Sequence, residues 1–209
     1  MDGFVMFRVV TIAATLLLSI PSFAQSHSAI DSARSSYGKN LFFDQSFLAF
    51  YGRITKSGDE SVFGAREATW TGSGIRDGIG IEMYKFIHLA FYHTHIDQES
   101  KGGALEHFNG SELSGEVTFS FSSPMGNLGF GAGVFGGQVN MQNVDKTSRF
   151  AGTGRVTNIS WNYFLTSSLS LMLRVERADG NYSQSSGDTG VESFEMTRDG
   201  FAAGFKLWL

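Results

Sequence analysis

This chain has no cysteine, only two prolines and no apolar run long enough to cross a membrane as a helix. Each lack excludes something. Without cysteine there is no disulfide framework, so an exported chain must be held by a core or by a closed hydrogen-bonded sheet. Proline removes a ladder donor, and with Pro21 and Pro124 the only two, long stretches remain free to form strands. The longest apolar run, Val9 to Ile20, covers a dozen residues, against the roughly 20 that a spanning helix needs. Clusters of lysine and arginine are missing and the net charge is −4, which argues against nucleic acid as a partner.

What is present begins with a leader. Arg8 precedes VVTIAATLLLSI, and Ser22-Phe23-Ala24 forms a small-x-small cleavage site before Gln25, so residues 1–24 read as a cleavable secretory signal peptide. Residues 25–45 read as an N-terminal periplasmic lead-in, and 46–209 as one β domain. Glycine and phenylalanine are plentiful, at 26 and 20 of 209 residues. With no spanning helix on offer, the one structure that could cross a bilayer is a closed barrel.

Alternation of period 2 marks eight strands after the leader. Strand one, Ser46 to Lys56, sets Leu48, Phe50, Gly52 and Ile54 against Ala49, Tyr51, Arg53 and Thr55. Strands two and three form a hairpin within Gly78 to Ile96. Strand four has the clearest alternation, with Leu113, Val117, Phe119 and Phe121 opposite Glu112, Ser114, Glu116, Thr118 and Ser120. Strands five, six and seven follow around 128–134, 155–165 and 169–177, with a bulge expected at Gly136-Gly137. The eighth runs from about Thr197 to Leu209 and must pair with strand one to close the sheet. Short turns near Lys85, Pro124 and Ser168 lie on one rim. Long polar connections, at about 57–73, 97–110, 142–153 and 179–195, lie on the other. Short turns on one side and long loops on the other are the habit of even-stranded membrane barrels.

Alternation alone does not say which face meets lipid. The polar face is crowded with small residues, among them Gly78, Gly80, Gly129, Gly131, Gly133 and Gly204, which suit the narrow interior of an eight-stranded barrel. The large apolar side chains are therefore assigned outward, including Leu48, Phe50 and Ile54, with Trp161, Tyr163, Phe121, Phe130 and Phe50 as an aromatic girdle near the short-turn rim. The interior then receives Arg53, Arg76, Glu82, Glu116, Arg174, Glu176 and Lys206. Near-balance of sign predicts a network of ion pairs that fills the lumen, because unpaired buried charge is costly.

On these features the chain resembles the small eight-stranded outer-membrane proteins of Gram-negative bacteria, of the OmpA and OmpX transmembrane type. The resemblance rests on the leader, the eight amphipathic strands, the loop asymmetry and the alternating terminal segment FAAGFKLWL. It implies an all-β fold, an eight-stranded antiparallel up-and-down transmembrane β-barrel, located in the bacterial outer membrane. It also implies lipid and lipopolysaccharide as surroundings, a monomer, and recognition of the last strand by the barrel assembly machinery. Leu209 stands where that family commonly ends in phenylalanine.

Chemistry is thinly marked. His93 and His95, at i and i+2 on one strand, could offer two imidazoles to one metal, though no third ligand is visible; amphipathic rim residues are the competing reading. Some small outer-membrane barrels modify lipid A, and His88, His93, His95, His107 and loop serines offer raw material for that. The His-x-Ser-Asn run associated with the deacylase is absent. No catalytic set and no cofactor are assigned. Asp179 to Ser183 reads as a solvated turn of the last long loop. The expected function is a structural, adhesion or surface-interaction role through extracellular loops, the alternatives being a lipid A-modifying enzyme and a narrow channel.

Overall fold

The structure, a computed structural model, describes residues 38–59, 66–100, 106–123, 126–143 and 146–209. The leader over 1–24 and most of the lead-in fall outside them, as does Pro124 of the expected short turn. Eight strands run β1 (Leu41–Gly58), β2 (Glu67–Met83), β3 (Ile87–Ser100), β4 (Glu106–Ser123), β5 (Gly126–Asn143), β6 (Lys146–Phe164), β7 (Leu169–Gly187) and β8 (Val191–Trp208). Each pairs antiparallel with the next, and β8 closes on β1 through Phe42↔Trp208 to Lys56↔Phe194 and beyond. The terminal segment thus has the partner that closure demands, and β1 begins at Leu41, inside the stretch read as lead-in.

The register fixes the shape. Following paired residues once round from Phe42, through Gly80, Ala90, Glu116, Gly133, Val156, Ala178 and Arg198, returns to β1 at Gly52, ten positions further along. With eight strands and standard spacings, that stagger tilts the strands by about 40° and leaves an interior just wide enough for side chains. At that tilt a strand of 18 residues rises about 45 Å, well beyond the apolar band of about 25 Å of a membrane barrel.

The long polar connections of the sequence reading are therefore mostly strand. Residues 146–153 open β6, 179–187 complete β7, and 67–73 open β2. Asp179 to Ser183 is not a turn but alternating strand, with Tyr182 buried. No bulge occurs at Gly136-Gly137, where pairing with both neighbours is continuous; register shifts fall instead at Ser57/Gly58 and Arg149/Phe150. Gly137 is small for another reason. A Cβ there would lie 2.6 Å from the Ser111 carbonyl oxygen and 2.8 Å from Cγ of Glu112, both on β4.

The short-turn rim is built from local turn chemistry. Tyr84 and Lys85 both have positive φ, 54° and 65°, the primed-turn geometry that joins twisted antiparallel strands. Between β6 and β7, Thr166 Oγ1 accepts from the backbone N–H of Ser168 and of Leu169. Lys39 Nζ donates to Ser168 Oγ at the same rim.

Along each strand the two faces exchange character. From the short-turn rim upward the outward side chains are apolar: Leu41, Phe43, Phe47, Ile75, Ile79, Phe91, Leu113, Val117, Val134, Ile159, Val175, Phe201 and Phe205 are all exposed. Farther up, the outward residues become polar, as in Arg53 and Ser57 on β1, Thr153 and Arg155 on β6, and Arg177 and Asn181 on β7. The interior changes in the opposite sense. Near the girdle it is charged, and above it lies an apolar cluster that includes Ile54, Trp70, Phe108, Met141, Phe150, Tyr182 and Phe194. Its rings are in contact, with Phe194 4.8 Å from Tyr182, 5.0 Å from Phe150 and 6.0 Å from Phe108 between centroids. The lower half is thus apolar outside and a mixture of charged and aromatic side chains inside, and the upper half is organised like a water-soluble barrel.

Candidate functional site: the filled lumen and the outer wall

Charged side chains reach the interior because every second residue of a strand must point there. Among the described residues, five bases (Lys56, Arg76, Arg174, Arg198, Lys206) and five acids (Asp44, Glu82, Glu112, Glu116, Glu176) are buried. Glu176 on β7 is the hub. It accepts two hydrogen bonds from Arg76 on β2, at 2.6 and 2.8 Å, and one from Arg174 Nε at 2.8 Å, with Arg198 at 3.9 Å. Arg174 reaches on to Glu116, 2.8 Å away, which also accepts from Asn158 and Ser114. Arg198 makes a two-pronged pair with Glu112 at 2.8 and 3.2 Å, and the Tyr182 hydroxyl donates to the same carboxylate at 2.7 Å. The fork of a guanidinium fits a carboxylate in this way, which is why arginine dominates the network.

Aromatic rings fill the space between the charges. The Arg76 and Arg174 guanidinium carbons each lie 5.4 Å from the Tyr92 ring centroid, and Arg198 lies 5.3 Å from that of Phe50. At the short-turn end, Lys206 Nζ sits 4.2 Å from the Phe42 centroid, 5.5 Å from that of Trp208 and 3.9 Å from Asp44, and Trp208 in turn packs 5.4 Å from Phe164. His88 faces Glu82 at 3.0 Å. Where Asp44, His88, Tyr92, Arg174 and Lys206 meet, the remaining cavity is only about 10 Å³, room for about one water. The arginine–glutamate network clamps β2, β4, β6, β7 and β8 together; its carboxylates are engaged by bases rather than presented to a substrate.

The structure brings Arg76, Glu82, Glu116, Arg174, Glu176 and Lys206 into this interior, but not Arg53. Arg53 is exposed on the outer wall, and Leu48, Phe50 and Ile54, assigned outward from sequence, are buried. The alternation in β1 is as expected but its sense is reversed. Phe43, Phe47 and Tyr51 supply its outward apolar row, while its inward aliphatics join the interior clusters. Phe50 therefore leaves the girdle, where Phe121 meets Phe130 edge-on at 6.3 Å and Trp161 stacks on Tyr163 at 5.7 Å.

Sequence reasoning missed Arg198, Glu112 and Asp44 as members of the network. Parity was the available signal for the first two: Arg198 shares the inward set of Gly200, Ala202, Gly204 and Lys206, and Glu112 that of Ser114 and Glu116. His93 and His95 are exposed on the outer wall of β3, beside Asp77 and Ile75 on β2. Among the described residues, no group of three or more His, Asp or Glu is placed to hold a metal. His107 pairs instead with Asp97 at 2.6 Å.

No protein-family model matches this chain, and no curated protein matches it. Solved structures do. The outer membrane protein OprG of Pseudomonas aeruginosa superimposes with a TM-score of 0.50 at 10% identity, covering 81% of this chain and 96% of that one. This is the fold of a small outer-membrane β-barrel. Neisserial surface protein A is similar, with a TM-score of 0.49 at 14% identity over 80% of this chain and 97% of its own. So is Ail, the attachment invasion locus protein of Yersinia pestis, at 0.47 and 9% over 80% and 99%.

Proposed function

We propose that this protein is a plugged barrel of the bacterial outer membrane, whose working part is the rim carried beyond the bilayer. The observation that supports this most is the exchange of faces along each strand. An apolar girdle on the outside suits hydrocarbon, while the polar wall and apolar core above it suit water, so the barrel continues out of the membrane as a rigid stub. At about 2.5 Å of rise per residue, the roughly eight residues of each strand above the girdle would lift the connecting segments about 20 Å from the lipid. That height serves contact with other molecules at the cell surface: adhesion, host contact or envelope integrity. Lipopolysaccharide surrounds the girdle, and β8 is the strand offered to the assembly machinery.

The filled interior opposes a channel, and the engagement of Glu112, Glu116 and Glu176 by arginines opposes catalysis inside the barrel. An epitope inserted within residues 101–105 and probed on intact cells tests the reading directly. Labelling of whole cells is expected; labelling only after lysis would overturn the proposed orientation. Planar-bilayer recordings are expected to show no stable conductance, and the lipid A mass profile is expected to be the same with and without the protein.

A further inference from the structure

The apolar girdle is interrupted where β1, β2 and β3 run side by side. Gln45 on β1, Asp77 on β2 and His93 on β3 are directly paired across the sheet, Gln45↔Asp77 and Asp77↔His93, and all three lie on the outward parity in a single row. The row lies within the girdle. Phe43 and Phe47 flank Gln45, Ile75 and Ile79 flank Asp77, and Phe91 lies below His93, every one of these apolar side chains being exposed. Gln45 Nε2 donates to Asp77 Oδ1 at 2.9 Å. The second oxygen of Asp77 and the two ring nitrogens of His93 remain open to a partner among the described residues. Beside the row the wall is uneven: Phe91 (72% exposed), Leu113 (66%) and Val134 (69%) stand out, and the Phe91 ring packs over Gly115, 3.5 Å from where a Cβ would lie.

Ionisable groups inside a bilayer are costly and are found paired. Lipid tails offer no partner, and phosphates or sugars would have to pass Phe47 and Ile75 to arrive. We propose that this row is the contact face of a two-fold dimer of the chain within the membrane, a proposal that rests on the membrane-barrel reading. A two-fold axis through the face brings Asp77 of one copy, an acceptor, against His93 and Gln45 of the other, which are donors, so the patch is self-complementary. An axis that sets Asp77 of one copy against His93 of the other lies between β2 and β3, so it also sets Phe91 of one copy against Ile79 of the other. Where the sequence reading expects a monomer, the proposal is a weak dimer.

The absence of cysteine makes the test direct. Phe91→Cys places a single thiol on the proposed face beside the axis, and Ile159→Cys on β6 places one on the far wall. In phosphatidylcholine vesicles under mild oxidation, Phe91→Cys is expected to form disulfide-linked dimers that persist on tenfold dilution with lipid, whereas Ile159→Cys is not. Adding Asp77→Leu and His93→Leu to Phe91→Cys should lower cross-linking by about fivefold or more, the size expected of polar pairs in lipid. Equal cross-linking at both positions, or no change on removing Asp77 and His93, would overturn the dimer. So would a wild-type protein that stays monomeric and retains added lipopolysaccharide through these residues. Boiled and unboiled samples run on gels report the barrel separately: a heat-shifted band without cross-links overturns the dimer alone, and a chain with no heat-shifted band overturns the barrel reading beneath it.

Discussion

Replacing Glu176 with glutamine keeps the shape of the side chain and removes one negative charge from the centre of the lumen. The carboxylate accepts three hydrogen bonds of 2.6 to 2.8 Å from Arg76 and Arg174, and Arg198 lies 3.9 Å away. Breaking a buried pair from one side costs about 3 to 5 kcal/mol, because the opposite charge is left buried without compensation. The glutamine oxygen still accepts from a guanidinium, a hydrogen bond to a charged group worth about 1.5 to 3 kcal/mol, so Glu176→Gln is expected to cost about 2 kcal/mol. Removing the stranded base as well should recover part of this. Arg174 keeps Glu116, so adding Arg76→Met leaves no guanidinium of this group unpaired, and the double variant should be more stable than Glu176→Gln by about 1 kcal/mol or more. Urea titration in lipid vesicles, followed by tryptophan fluorescence and by gel mobility without boiling, measures both. A Glu176→Gln midpoint within about 1 kcal/mol of wild type, or a double variant whose loss equals the sum of the singles, would refute the network as a source of stability.

Depth along the outer wall should set the cost of a new charge. Leu171→Arg, in the girdle between Tyr163 and Phe205, is expected to destabilise by about 2 to 4 kcal/mol, and Thr153→Arg, on the polar wall, by less than about 1, in the same titration. Gly78→Val should cost about 1 to 3 kcal/mol by overpacking, since a Cβ there would lie 2.3 Å from the Tyr92 ring. Phe194→Ala, which empties the centre of the upper cluster, should cost about 3 to 5 kcal/mol and increase proteolytic cutting of the projecting strands in intact vesicles.

The strand count, the closure of β8 on β1 and the short-turn rim were legible in the sequence because they depend on local alternation and turn chemistry. In β4, Leu113, Val117, Phe119 and Phe121 do face outward. Strand length was not legible. Above the girdle the inward residues are apolar and the outward ones polar, so a lipid-facing stripe followed along the sequence ends there and the remainder resembles loop. Residues 179–183 show this well: Asp179, Asn181 and Ser183 line the wall, and Tyr182 stacks on Phe194 inside.

β1 shows why the sense of alternation needs more than apolar content. Leu48, Phe50 and Ile54 are as apolar as any lipid-facing row, yet they face inward, because β1 also carries Phe43, Phe47 and Tyr51 on the opposite parity. Both rows are apolar over the stretch where the girdle ends and the interior core begins. Only pairing decides between them: Gly52 lies opposite Arg198 and Trp70, and Ser46 opposite Arg76 and Gly204, inward positions all. Once that parity is fixed, Arg53 must point outward and Asp44 inward. The same parity also leaves Gln45 in the lipid-facing row beside Asp77, so a residue with no role in the sequence reading becomes part of a polar interruption of the girdle.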